Sequence, residues 1–205
     1  MTRMIQREAY LIRHGETEWN VQKRWQGIAD VPLNEVGERQ ALLLADYMRE
    51  NHTLHNLYSS DLSRAWQTAE AIGKLTGVSP ISDPRLREFN VGIFQGHTGP
   101  ELELSHTVEL AAYRAGHMDY AIPQGESRQQ VQDRAYTAWL DITGKTRGNV
   151  AFVAHGGWIA LLLPRLFPEL QAQGGVKQIH NTSITTLIET ETGWELASIS
   201  VTPHL

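Results

Sequence analysis

Two histidines stand at matching places in this chain. His14 closes the apolar run 9–12 as Arg13-His14-Gly15, and His155 closes 149–154 as His155-Gly156-Gly157. A short apolar run ended by glycine reads as a buried strand that delivers a side chain to its end. An imidazole nitrogen is a competent nucleophile toward phosphorus, and a neighbouring guanidinium neutralises the phosphate it attacks. Two further groups have the right chemistry. Arg64, in YSSDLSRAWQTAEAI, falls near the start of a predicted helix, where free backbone N–H groups already favour an anion. Glu88, in LREFNVGIFQG, sits beside apolar Phe89, a setting in which a carboxyl can act as a general acid. Taken singly, each has a plain explanation: an Arg-His pair in a loop, a solvated arginine, a salt-bridged glutamate, a satisfied core histidine.

The elements around them set where these groups would meet. Residues 34–50 read as a helix with Asn34 as its N-cap, and 62–75 as a second, stopped by Thr76-Gly77. Residues 56–59 and 149–154 read as strands. Periodicity weakens over 92–125, where a helix over 100–115 with proline in its first turn is expected. A long helix over 126–143 and another from Trp158 follow. Residues 182–188 and 194–201 read as strands joined by Glu-Thr-Gly, a hairpin signal. Alternating strands and helices predict an α/β fold, a three-layer α/β/α arrangement. Its central sheet is mostly parallel with an antiparallel edge strand. Ligands of such sheets bind beyond the carboxyl ends of strands, where His14 and His155 fall.

Composition narrows the function classes. The 205 residues are 41% apolar and 20% charged, near the globular average, which disfavours disorder and coiled coil. There is no cysteine, so disulfides, cysteine zinc sites and thiol nucleophiles are excluded. Lys plus Arg is 18 against 23 Asp plus Glu, and a net charge of −5 disfavours nucleic acid or an anionic membrane as the main partner. No segment approaches a membrane span, and MTRMIQREAYLIRHG lacks the apolar core of a leader, so a soluble cytoplasmic protein is expected. His52 and His55 have a spacing open to metal, but the asparagines beside them mark a turn. No metal and no cofactor are expected.

Together the segments resemble the histidine phosphatase superfamily, also called the phosphoglycerate mutase-like family. The resemblance is carried by Arg13-His14-Gly15, by Ser-x-x-x-Arg-Ala-x-x-Thr-Ala from Ser60 to Ala69, by Leu-x-Glu-x-x-x-Gly from Leu86 to Gly92, and by His155-Gly156-Gly157. The stretch 26–41 adds to it, and nearly the whole chain is covered. The resemblance implies one catalytic domain over 1–205 with 92–125 as a cap that sets specificity. It implies that His14 becomes phosphohistidine, that Arg13, Arg64 and His155 hold the phosphoryl oxygens, and that Glu88 protonates the leaving oxygen and then activates water. Asn20, Gln26, Gly27 and Gly156 would add contacts to the substrate. Positioning and charge stabilisation dominate phosphoryl transfer, and such a set supplies both.

The same family holds phosphatases and phosphoglycerate mutases. Mutases of the family follow the acid with a basic residue and His-Tyr, whereas Glu88 is followed by Phe89-Asn90-Val91. Between Val91 and Ser127, Arg114 is the one basic residue against Glu101, Glu103, Glu109, Asp119 and Glu126. That balance is poor for a trianionic phosphoglycerate. Gln95-Gly96 leans toward mutases, while the compact length and Pro123-Gln124-Gly125-Glu126-Ser127 lean toward small cofactor-independent phosphatases. The expected function is therefore a phosphomonoesterase acting on a small phosphorylated metabolite, as a monomer or homodimer. A mutase is the alternative. A phosphate-binding protein without turnover is the remote one, and its sign would be loss of His14 or Glu88.

Overall fold

A computed structural model of the protein describes residues 6–176 and 178–205. Met1 to Ile5, the start of the stretch read for a leader, lie outside the described residues. Six strands form one sheet: β1 (Arg7–Arg13), β2 (Asn56–Ser59), β3 (Pro80–Ser82), β4 (Val150–Ala154), β5 (Ile184–Thr190) and β6 (Gly193–Val201), in the order β3-β2-β4-β1-β5-β6. Strands β3, β2, β4 and β1 pair in parallel. Antiparallel pairing is confined to the terminal hairpin side, where β5 runs against both β1 and the edge strand β6.

Eight helices connect the strands among the described residues: α1 (Glu18–Val21), α2 (Glu35–Asn51), α3 (Ser63–Thr76), α4 (Gly99–Ser105), α5 (Thr107–Arg114), α6 (Arg128–Lys145), α7 (Gly156–Leu166) and α8 (Pro168–Ala172). Asn34 caps α2 by accepting the N–H of Gly37, and Gly77 ends α3 in the left-handed region at φ 76. Three expectations shift. The 100–115 helix is two short ones broken at His106, whose non-helical backbone (φ −137, ψ 44) interrupts the hydrogen-bond ladder. The long helix starts at Arg128, because Ser127 and Gln130 form a reciprocal cap that fixes its first turn. Helix α7 begins at Gly156, so the two glycines are its first turn and not a loop before it.

Strand alternation sorts the core into two layers. Ala9 and Leu11 of β1, with Val150, Phe152 and Ala154 of β4, face Trp139 and Ile142 of α6 and Trp158, Ile159 and Leu162 of α7. Tyr10, Ile12, Ala151 and Val153 face the other way, onto Leu44 and Met48 of α2 and Ala65, Ala69 and Ile72 of α3. Both central strands are covered on both faces, which is why they read as unbroken apolar runs. A third cluster, with Phe94, Leu102, Leu110, Ile122 and Val131, gives the 92–125 segment its own packing. No described helix is long and apolar enough to cross a membrane.

Candidate active site

The site begins with a register. In the parallel pair β1·β4, Arg13 stands opposite Ala154, so the next residue of each strand is a histidine. The N–H of His14 donates to the Ala154 carbonyl (3.1 Å), and the two rings lie side by side, 5.1 Å between centroids. His14 and His155 are both buried. His14 Nδ1 lies 2.6 Å from the carbonyl oxygen of Gly15. A carbonyl only accepts, so Nδ1 carries the proton and Nε2 keeps its lone pair, the arrangement a nucleophile needs.

The adjoining loop is held by contacts from distant segments. The N–H of Gly15 donates to Thr68 Oγ1 (3.1 Å), which itself donates to the Arg64 carbonyl one turn earlier in α3 (2.8 Å). This accounts for the threonine in the Ser-x-x-x-Arg-Ala-x-x-Thr-Ala pattern. Gly15 must be glycine for another reason: an added Cβ would meet the Gly37 carbonyl oxygen at 2.6 Å. Asn181 closes the other side, its Nδ2 donating to the carbonyls of His14 (3.0 Å) and Gly15 (3.1 Å) and to Asn20 Oδ1 (3.2 Å).

Arg64 is fully buried, not the solvated surface arginine of the plain alternative. Its Nη1 donates to Ala29 O (2.7 Å) and Nη2 to Gly27 O (2.8 Å). Gly27 holds φ +52, so it turns its carbonyl to Arg64 from a conformation that favours glycine. Arg13 Nη1 donates to Ile179 O (2.6 Å). Glu88 docks on the first turn of α7. Its Oε1 accepts N–H groups from Phe89 (2.8 Å) and Trp158 (3.0 Å), and its Oε2 accepts that of Gly157 (3.0 Å). Phe89 therefore meets Glu88 through its backbone amide, a polar contact where an apolar one was expected. A Cβ on residue 157 would fall 2.5 Å from Glu88 Oε1, whereas one on Gly156 would make only ordinary contact with Arg13.

These groups bound a cavity of about 240 Å³. Arg13, His14, Asn20, Gln26, Gly27, Arg64, Glu88 and Gly157 supply its polar and backbone lining. Arg24, Trp25, Phe89, Val91 and Tyr113 complete the lining. Asn20 Oδ1 already accepts from Thr17 and Asn181, so its amide N–H groups are what it can offer a ligand. Arg13 Nε, Arg64 Nε, Gln26 Oε1 and both ring nitrogens of His155 are buried without a hydrogen-bond partner among the described residues. Buried polar atoms are nearly always paired, so a cluster of them marks a ligand site. An oxyanion in the cavity would offer the Arg13 and Arg64 guanidiniums an acceptor.

Sequence reasoning thus placed Arg13, His14, Asn20, Gln26, Gly27, Arg64 and Glu88 around one cavity, with His155 against His14. It missed Arg24, Thr68 and Asn181, and it chose Gly156 where Gly157 lines the cavity. Of the aromatics nearby, Trp25, Phe89 and Tyr113 line the cavity, while Phe94 is core and Trp19 lies against Gly96. His52 packs on Tyr10 and Tyr47, and His55 Nδ1 accepts the N–H of Asn149, so each has a separate structural role. Among the described residues no three His, Asp or Glu side chains gather as metal ligands.

Burial, then the charges of Arg64 and Arg13, push the His14 pKa well below that of a free imidazole. His155 is lowered by burial, then by Arg64 and His14. Burial also lowers Arg64, to about 10, which leaves it charged at neutral pH. The two histidines are therefore neutral in the fold. The unfolded chain takes up their protons as pH falls through about 6.5. Their contribution to stability is present above that value and is lost as pH drops toward the lowered folded pKa values. Denaturant titrations between pH 7.5 and 5 should show stability falling by up to about 1.4 kcal/mol per pH unit for each such group. A flat profile over that interval would contradict buried neutral rings.

Comparison with known proteins agrees with this site. Residues 9–202 match the family model described as the histidine phosphatase superfamily, branch 1. A probable phosphoglycerate mutase of Yersinia pestis (strain Pestoides F) is 33% identical over 204 residues, 97% of this chain and 94% of that protein. Among solved structures, a mycobacterial glucosyl-3-phosphoglycerate phosphatase with VO3 bound has a TM-score of 0.81 at 32% identity, covering 95% of this chain and 99% of that one. A phosphoserine phosphatase mutant of Entamoeba histolytica in complex with phosphoserine has a TM-score of 0.80 at 29% identity, covering 97% and 98%.

Proposed function

Because the chain belongs to the histidine phosphatase superfamily, branch 1, we propose that it hydrolyses a small phosphomonoester through a phosphohistidine on His14. We read it as one catalytic domain whose 92–125 segment caps the site. The observation that carries the reading is the His14 ring, neutral and fixed by Gly15, with Nε2 free beside two guanidiniums and across from a carboxyl group. Nε2 bonds to phosphorus as the P–O ester bond breaks, and the leaving oxygen takes a proton from Glu88. Arg13, Arg64 and His155 hold the three equatorial oxygens, where charge accumulates. Water then gives a proton to Glu88, its oxygen bonds to phosphorus, and the N–P bond breaks. His14 and Glu88 are restored and inorganic phosphate leaves.

The mutase reading is supported by Gln95-Gly96 and by the name of the Yersinia relative. The cavity favours the phosphatase. Beyond the arginines of the phosphate site, Arg24 is its one cationic lining residue among the described ones, and it is committed to Glu101 (3.0 Å) and to Gly96 O (2.7 Å). A phosphoglycerate carboxylate would have to compete for it, while Trp25, Phe89, Val91 and Tyr113 suit an apolar or neutral leaving group. The structural neighbours named as phosphatases support the same choice. A panel of phosphomonoesters assayed with and without 2,3-bisphosphoglycerate tests it. Release of inorganic phosphate without the bisphosphate is expected. Bisphosphate-dependent exchange of 2- and 3-phosphoglycerate would establish the mutase, and no turnover of any ester would leave a binding protein.

A further inference from the structure

Arg134 lies outside the cavity, in the middle of α6, and the steps above give it no task. Its guanidinium donates to three main-chain carbonyls of one loop: Nη1 to Arg85 (3.0 Å) and Arg87 (2.6 Å), and Nη2 to Glu88 (2.8 Å). Glu126 aims it from the other side, accepting from Nε on Oε1 (2.9 Å) and from Nη2 on Oε2 (3.0 Å). Five N–H groups thus meet five acceptors, the full capacity of a guanidinium. A lysine, with three donors and no planar fork, could not replace it.

Glu126 also grips the loop directly. Its Oε2 accepts the N–H of Asn90 (2.9 Å), and its own N–H donates to the Asn90 carbonyl (2.8 Å). The stretch Pro123 to Ser127, singled out in the sequence, is what brings it there. Ile93 N–H donates to Pro123 O (3.0 Å), and a Cβ on Gly125 would fall 2.3 Å from Asn90 O. Ser127 then caps α6, which registers Arg134, two turns on, to the same stretch. Glu88 is therefore flanked by carbonyls held on Arg134 and by an amide held on Glu126.

We propose that Arg134 and Glu126 are positioning residues that aim Glu88 at the leaving-group oxygen. The inference rests on the reading of Glu88 as the acid of a His14 phosphatase. A misplacement of about 1 Å in a catalytic group can cost on the order of 10²-fold. That cost should fall on substrates that need a proton and spare those that do not.

The test uses Arg134→Met and Glu126→Gln, with single-turnover formation of phosphohistidine measured from an alkyl phosphate and from nitrophenyl phosphate. Vanadate affinity and thermal unfolding report whether the pocket persists. The alkyl phosphate rate should fall about 10²-fold and the nitrophenyl phosphate rate much less. In a Glu88→Gln background, Arg134→Met should add little to the alkyl phosphate loss. Equal losses on both substrates, or an Arg134→Met effect undiminished in that background, would overturn the proposal. If Arg134→Met fails to fold, Glu126→Gln, which keeps an acceptor for the Asn90 N–H, decides alone. Absence of phosphohistidine in the wild-type protein would instead overturn the underlying functional reading. That failure is distinguishable because it precedes any comparison of variants.

Discussion

His14→Ala should lower turnover of every phosphomonoester by roughly 10⁶-fold, the scale of loss when a covalent nucleophile is removed. The expectation comes from how much of the structure serves this one ring. The strand register sets it against β4, Gly15 fixes its tautomer, and Asn181 and Thr182 hold its carbonyl. We expect no substitution by His155, which stands at the N-cap of α7 with its buried ring against that of His14. The variant removes an imidazole from a buried site without touching the core layers, so the fold and vanadate binding through Arg13 and Arg64 should survive. Acid-labile, base-stable phosphate trapped on the wild-type protein and absent from the variant would complete the case. Phosphate trapped on another residue, or an active variant, would sink it.

Glu88→Gln should divide substrates by the quality of their leaving group. An alkoxide leaves poorly, so the proton from Glu88 is worth roughly 10²–10⁴-fold on an alkyl phosphate. Nitrophenolate leaves well without one. Burst formation of phosphohistidine from nitrophenyl phosphate should therefore fall far less, while steady-state turnover drops for both because water activation also uses Glu88. The substitution keeps one oxygen to accept the Phe89 and Trp158 N–H groups, but it turns an amide toward the Gly157 N–H. Vanadate affinity must be measured alongside, to show that the pocket is intact. Equal loss of the burst on both substrates would move the acid role elsewhere. Glu101 is then the next carboxylate to test, since its partner Arg24 lines the cavity.

What the sequence made legible were features with a local cause. Asn34 caps the helix it precedes, the runs ending at His14 and His155 are strands, and the terminal hairpin forms where its turn residues stand. Their signals lie within a few residues, where periodicity and turn chemistry act. Arg134 and Asn181 were invisible for the opposite reason. They act on main-chain carbonyls 46 and 167 positions away, and a carbonyl has no residue type to pattern against. Strand β3 was missed because its three residues include a proline and a serine, which read as loop. Charge was misread in one respect. The acidic excess between Val91 and Ser127 reads as poor for a trianionic phosphoglycerate, but Arg24 and Arg134, both from outside that stretch, pair with Glu101 and Glu126. None of the five acidic residues singled out there lines the cavity. On the proposed phosphatase reading, any discrimination against phosphoglycerate falls to Arg24 and the aromatic lining residues.

Two helical glycines define how far this protein can be hardened against heat. Gly144 in the last turn of α6 and Gly157 in the first turn of α7 each forgo part of the roughly 1 kcal/mol by which alanine outdoes glycine in a helix interior. At 144 nothing lies within 4 Å of an added methyl group, so that stability is open to an engineer. At 157 the methyl group would take the place of a Glu88 oxygen. Moving that side chain aside would strip the Gly157 and Trp158 N–H groups of their carboxylate acceptor, so the change would cost stability as well as displace Glu88. Selection for thermal tolerance would therefore act on position 144 and leave 157 as glycine, because there the fold and the site make the same demand.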